Sequence, residues 1–234
     1  MTEGDLDRHA RAAETKKRRS RQRITEATLN LFDPSTAHTA PTLEQIAEEA
    51  GVGVATLYSH FNTKYDLYFE VLTQLFDPLI RPIRTAVELN AYKPADLRAE
   101  IVSYVCRAAM LARSYRYLVA AYIQSYFENR QYDSHTGRRV SQPVADGLGM
   151  IIRRGHEPFD MRFRPYGIDE QMENLLLTTC MRIDPHGSPY TTRKVARTVL
   201  LGLLPSVDQD YTRDDIRDVV AQIETVIPKE EYDN

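Results

Sequence analysis

Between Thr42 and Phe61 the chain reads TLEQIAEEAGVGVATLYSHF, and the glycine at position 51 constrains the fold most. Thr42 to Gln45 is T-x-x-Q, the spacing of a capping box that opens a helix. Leu43, Ile46, Ala47 and Ala50 recur at helical intervals and make one apolar face. Gly51 then supplies the left-handed residue on which helices stop most cheaply. Val52 puts a small apolar group into the corner, and Gly53 can open a second helix. In that helix Leu57 and Phe61 lie four apart and turn inward. Two short helices joined at a glycine corner make a helix-turn-helix, a motif whose second helix enters the DNA major groove. That second helix carries no Arg, Lys, Asn or Gln, the side chains that make two-pronged bonds to base edges. Any reading of DNA must therefore draw on the rest of the chain.

The rest of the chain predicts more helices. Ile24, Ala27, Thr28, Leu31 and Phe32 follow a 3.6-residue period, so a first helix starts near Lys16 and stops before Pro34. Residues 1–15 are polar and read as disordered. Asn62 and Thr63 start a further helix, KYDLYFEVLTQLF, ending at Pro78. Beyond Pro82, amphipathic segments are expected near 83–90, 95–113, 115–129, 138–156, 168–183, 190–204 and 212–227, with prolines or Gly137 at or between their ends. No segment keeps a period of two for long, and there is no sequence repeat. The fold class is all-α.

Charge is distributed unevenly. Net charge is −3, which taken alone argues against nucleic acid. Yet residues 8–23, RHARAAETKKRRSRQR, hold eight Lys or Arg and one Glu, a local +7 that leaves −10 for the remainder. A basic segment on an acidic body suits phosphate binding, although a solvated terminus has the same composition. No run of eighteen uncharged apolar residues is present, so no membrane span is expected. No apolar signal core follows the basic residues. Two cysteines, Cys106 and Cys180, are too few for a disulfide framework and fit a cytoplasmic protein.

From about Arg21 to Leu72 the sequence resembles the tetracycline-repressor (TetR) family of bacterial transcription regulators. The run I-A-x-x-A-G-V-x-x-x-T-L-Y-x-H-F-x-x-K, ending on Lys64, carries the likeness. This chain departs from the family pattern in the loop DPSTAHTAP, which lacks a common glycine and is about one residue longer. It departs also at Gly53 and Val54, where Ser and a polar or basic residue are frequent. The resemblance implies an N-terminal three-helix DNA-binding domain joined to a larger helical bundle for ligand binding and dimerisation. The expected division is a basic disordered arm over 1–17, a helix-turn-helix domain over 18–66 and the bundle over 67–234.

Candidate contacts follow from each residue's chemistry. Thr42 offers a hydroxyl beside the free amides of a helix start, and Lys64 sits in the first turn of the next helix; both suit phosphate. Tyr58 and His60 carry polar tips that can reach the DNA backbone, and the resemblance assigns similar contacts to these positions. Val54, Ala55 and Ser59 would face base edges, where Val and Ala can touch a thymine methyl. Thr56 suits either role. Arg18, Arg19 and Arg21 lie where the basic segment meets the first helix and can neutralise phosphates. Leu57, Ile46, Val52 and Phe61 are core residues in any reading. Taken singly, each polar residue reads more readily as an idle surface group, and it is their joint occurrence at the family spacing that favours the contact reading.

The bundle offers a tyrosine-rich stretch. Half of the fourteen tyrosines lie between residues 92 and 132. Tyr115, Val119, Tyr122 and Tyr126 share one helix face; Tyr104 borders the face of Ile101, Val105, Ala108 and Ala112. Tyr104, Tyr115, Tyr122 and Tyr126 could line a cavity for an aromatic or amphipathic effector, or simply pack as ordinary core. Dimerisation is expected through MENLLLTTCMRI and TTRKVARTVLLGLLP, with Leu176, Cys180, Val199 and Leu203 as interface or core positions and residues 212–227 as an alternative element. The expected partners are a double-stranded DNA operator, a small-molecule effector and a second copy of the chain, with no cofactor, no membrane and no catalytic residue. A helical enzyme or metal-binding protein is the rival reading, with His156, Glu157 and Asp160 or Asp184 and His186 as its clusters. A protein-binding adaptor of the same fold is another.

Overall fold

The computed structural model describes residues 3–89, 96–128, 139–155, 167–181, 191–207 and 211–229, with side chains from residue 11 onward. Among the described residues there are ten helices and no strand: α1 Glu3–Leu31, α2 Leu43–Glu49, α3 Val54–His60, α4 Lys64–Glu88, α5 Leu97–Ser114, α6 Arg116–Glu128, α7 Gln142–Gly155, α8 Ile168–Cys180, α9 Thr192–Val207 and α10 Asp215–Val226. None is long and apolar enough to cross a membrane. The chain divides into two compact units, 1–71 and 72–234, so the boundary falls inside α4. The sequence had placed it near residue 66, at the foot of the same helix.

In the first unit the predicted periodicity is the packing. Ile24, Ala27 and Thr28 of α1 and Phe32 just beyond it are buried with Leu43, Ile46 and Ala47 of α2, Leu57 of α3 and Leu67, Tyr68 and Val71 of α4. Phe32 meets Tyr68 edge to face at 5.7 Å, a favoured aromatic geometry. The buried Thr28 hydroxyl donates to the Ile24 carbonyl at 2.7 Å, so its burial leaves no hydrogen bond unmade.

Several boundaries differ from the sequence reading. The first helix begins at Glu3, not near Lys16, and replaces the disordered arm expected over 1–17. Ala10, Arg11, Ala12, Ala13 and Glu14 are good helix formers, and they extend a helix already nucleated by its packed C-terminal half. α4 likewise continues through Pro78 and Pro82 to Glu88 and absorbs the segment expected at 83–90. Each proline removes one amide donor. Their spacing of four puts both on one exposed side, where water can take the place of the missing donors, while Leu75, Phe76 and Ile80 hold the buried side. α9 passes Pro205 in the same way, held by buried Leu203, Leu204 and Val207.

In the second unit α5 packs against α7, α8, α9 and α10. It buries Ile101, Val102, Tyr104, Val105, Cys106, Ala108, Ala109 and Ala112, more than the single face expected. The alanines let neighbouring helices approach closely. Asp96 caps α5 by accepting from the Ala99 amide at 3.0 Å. Both cysteines are free thiols, and burial pushes Cys106 up to about 12 and Cys180 to about 11, which suits inert packing groups.

Candidate nucleic-acid interface

The corner between α2 and α3 is built as its sequence requires. The Gln45 amide donates to the Thr42 hydroxyl at 3.2 Å, and the Thr42 amide donates to the Gln45 side-chain oxygen at 2.8 Å, which completes the capping box. Gly51 has φ of 61°. Its amide donates to Glu48 at 3.0 Å, and the Val52 amide donates to Ala47 at 2.9 Å. This reciprocal pair is a Schellman stop. Gly53 caps α3 with its carbonyl, which accepts from the Thr56 and Leu57 amides at 2.9 and 3.1 Å.

α3 is anchored on one side and open on the other. Leu57 and Phe61 are each 1% exposed. Ala55, Thr56, Tyr58 and Ser59 are exposed, and Val54 and His60 are half-buried. Helical spacing centres Ala55 and Ser59 on the outward face and puts Thr56 and Tyr58 on its flanks. Tyr58 is 51% exposed. Ser59 donates to the Thr56 carbonyl at 2.6 Å and keeps its lone pairs outward. Thr42 and Lys64 are exposed at the starts of α2 and α4. The Thr63 hydroxyl caps α4 by accepting from the Asp66 amide at 3.0 Å.

The basic segment is a structured helix face. An open groove of about 870 Å³ lies between α1 and the α2–α3 corner, lined by Arg11, Thr15, Lys16, Arg19, Arg23 and Thr56 among others. Among its described lining residues there are four cations and no carboxylate. Arg11, Thr15, Arg19 and Arg23 are spaced by four and share one face of α1. The sequence reading named Arg19 but not Arg11, Lys16 or Arg23. Lys16, Arg19 and Arg23 already lie at helical spacing within the helix expected from Lys16, whereas Arg11 joins their face only once the helix is extended upstream. Arg18 is exposed outside the groove lining.

Arg21 is placed differently. Three and seven residues before Ile24 and Thr28, it shares the buried face of α1. It is held by Glu70 and by the His60 carbonyl, with Phe61 beneath it. Its charge is thus already engaged within the unit. His60 has a buried Nδ1 without a hydrogen-bond partner. Burial, then Arg21 and Lys17, holds its pKa below the ordinary 6.5, against an opposing pull from Glu70. The neutral imidazole is therefore the folded form near pH 7. The unfolded chain accepts a proton near 6.5 that the folded protein resists, so stability falls as pH drops through that value. Urea melts of wild type should show this loss between pH 7 and 5.5, and His60→Gln should lessen it; an identical pH dependence in both would place its source elsewhere.

Of the four tyrosines, Tyr104 lines a cleft. It is one of about 540 Å³, with Pro82, Ile83, Met110 and Leu111 as apolar wall and Glu100 and Arg107 as polar members. The Tyr104 hydroxyl is spent on the Val144 carbonyl at 2.6 Å, and burial holds its pKa well above the phenol range. Tyr122 donates to Val140 at 3.0 Å, and Tyr126 packs on Phe127 at 5.5 Å. Tyr115 is half-buried. His156, Glu157, Asp160, Asp184 and His186 lie outside the described residues.

Comparison with known proteins places the likeness on this same region. Residues 24–71 match the family described as bacterial regulatory proteins, tetR family. A curated relative, the HTH-type transcriptional activator FasR of Mycolicibacterium smegmatis, is 34% identical over 62 residues, 26% of this chain and 28% of that protein. The match thus spans little more than a quarter of the relative's length. A tetR-family transcriptional regulator of known structure from Streptomyces coelicolor aligns over 89% of this chain and 92% of its own, at 19% identity and a TM-score of 0.45.

Proposed function

We propose, from the match of residues 24–71 to the family described as bacterial regulatory proteins, tetR family, that this chain is a cytoplasmic, homodimeric transcription regulator that releases or engages its operator in response to a small molecule. The observation that carries the reading is the pairing of an outward-facing α3 with a carboxylate-free basic groove beside it. α3 enters the major groove, and α1 follows the phosphates. Thr42, Tyr58, His60 and Lys64 add backbone contacts, while Ala55, Ser59 and the edge of Val54 meet bases. Affinity comes mainly from charge, and base reading from methyl contacts and DNA shape. Repression by occlusion needs only DNA binding, so we read the chain as a repressor; the matched segment of the M. smegmatis activator would serve either sign of regulation.

The pairing of two copies uses α8 and α9. Leu176, Val199 and Leu203 are spent in the core of one protomer. Leu177 and Met181, 42% and 47% exposed, are the apolar groups left outward on or just beyond α8. A two-fold dimer would set its recognition helices roughly 34–36 Å apart on a pseudo-palindromic operator. The cleft beside Tyr104, mostly apolar with Glu100 and Arg107 as its charges, supports an amphipathic effector. By linkage, an effector that lowers DNA affinity has its own affinity lowered equally by DNA.

Selection from a random duplex library tests the reading. Wild type should enrich an inverted repeat with thymine favoured under Ala55 and Val54. Val54→Arg should bring guanine into those positions, with discrimination of ~1–3 kcal/mol. A folded wild-type dimer that enriched no sequence would remove the regulator reading, and an unchanged motif in the variant would remove Val54 from the base-reading face.

A further inference from the structure

We infer that Arg21 and Glu70 form a latch that positions α3 for DNA, and that Glu70, an acid on the DNA-binding unit, is required for operator recognition. The inference rests on the regulator reading above and assigns a positioning role to two residues of the same site.

Three elements meet at Arg21. Its Nε–H donates to both Glu70 carboxylate oxygens at 3.0 and 2.9 Å, and its Nη2 pairs with the same carboxylate. Its Nη1 donates to the His60 carbonyl at 2.5 Å. The guanidinium carbon lies 4.1 Å from the centre of the Phe61 ring. One side chain of α1 thus fixes the last residue of α3, the connecting residue Phe61 and a residue two turns into α4. The planar fork of arginine suits this task, because one face stacks while the edge bonds in two directions. A cation at the end of α3 also offsets the negative pole of that helix. α3 is only seven residues long, and Gly53 at its start makes no side-chain cap. Its orientation therefore depends on Leu57 packing and on what holds its far end.

The alternative assignment makes the opposite prediction. If Arg21 were a phosphate contact, Glu70 would only repel DNA and compete for the arginine. Glu70→Gln would then tighten binding, and Arg21→Gln would lower the salt slope of binding by about 0.9. The latch predicts that Glu70→Gln and Arg21→Gln each weaken operator binding by about tenfold or more, the scale of one charge-assisted hydrogen bond. Both should leave the salt slope unchanged and reduce the ratio of operator to random-DNA affinity. Arg21→Lys should not restore that ratio, since a single ammonium cannot bond the carboxylate and the carbonyl while stacking.

The experiment combines fluorescence-anisotropy titration of operator and random duplex across salt with NMR of the free, full-length protein. In wild type the Arg21 side-chain Nε–H should give a resolved, exchange-protected resonance that Glu70→Gln abolishes, with amide shifts concentrated at Ser59 to Phe61. Tighter operator binding by Glu70→Gln, or a lowered slope in Arg21→Gln, would overturn the proposal. So would an unprotected Nε–H in wild type. Failure of wild type to bind any duplex, with the protected resonance intact, would instead sink the regulator reading.

Discussion

Exchanging Lys16, Arg19 and Arg23 together for glutamine should weaken binding to every DNA sequence by roughly two to three orders of magnitude at about 0.1 M salt. The estimate assumes one phosphate per side chain and a slope of about 0.9 for each, so the salt dependence should flatten by about 2.7. These three cations line the groove beside the α2–α3 corner, and none is on the buried face of α1. The substitutions keep helix propensity and add no apolar surface, so circular dichroism should be unchanged. The discriminating control is Arg18→Gln, outside the groove lining, which should cost less than any one of the three. An equal loss from Arg18 would mean that diffuse positive charge attracts the DNA and that the groove does not seat a strand.

Phe61→Ala is expected to destabilise the first unit by about 3–5 kcal/mol, enough to unfold a unit of this size near room temperature. The ring is 1% exposed, and Arg21 stacks on it at 4.1 Å. Removing it opens a cavity under α3 and also strips the latch of its floor. Urea unfolding followed by circular dichroism should show an early transition confined to part of the helical signal, while the remainder, from residues 72–234, melts as in wild type. Phe61→Leu keeps most of the buried volume and should cost less than half as much. A single unchanged transition in Phe61→Ala would mean that the ring contributes little to the packing.

Local features were legible in the sequence because they are governed by residues close along the chain. The Thr42–Gln45 box, the Gly51 stop and the inward Leu57–Phe61 pair each depend on groups within five residues of one another. Thr63 as a helix start was legible for the same reason. Proline misled at Pro78, Pro82 and Pro205, because its local cost was weighed without the buried residues that carry the helix past it. The tyrosine-rich stretch left cavity lining and ordinary core both open as readings. A hydroxyl on a helix face looks available until the carbonyls of Val144 and Val140 are found against Tyr104 and Tyr122.

The sequence by itself determined an all-helical chain, a helix-turn-helix and the residues that α3 turns outward, since helical period and φ preference are local properties. Only the tertiary structure decided which cations are left outward. Arg18, Arg19 and Arg21 are chemically alike and nearly adjacent, and as a string they are equivalent. One lines an open groove, one stands outside it, and one is bound by a glutamate 49 residues further along. A charge is committed or left available by what lies within about 3 Å of it, and that distance is set by how α1, α3 and α4 pack.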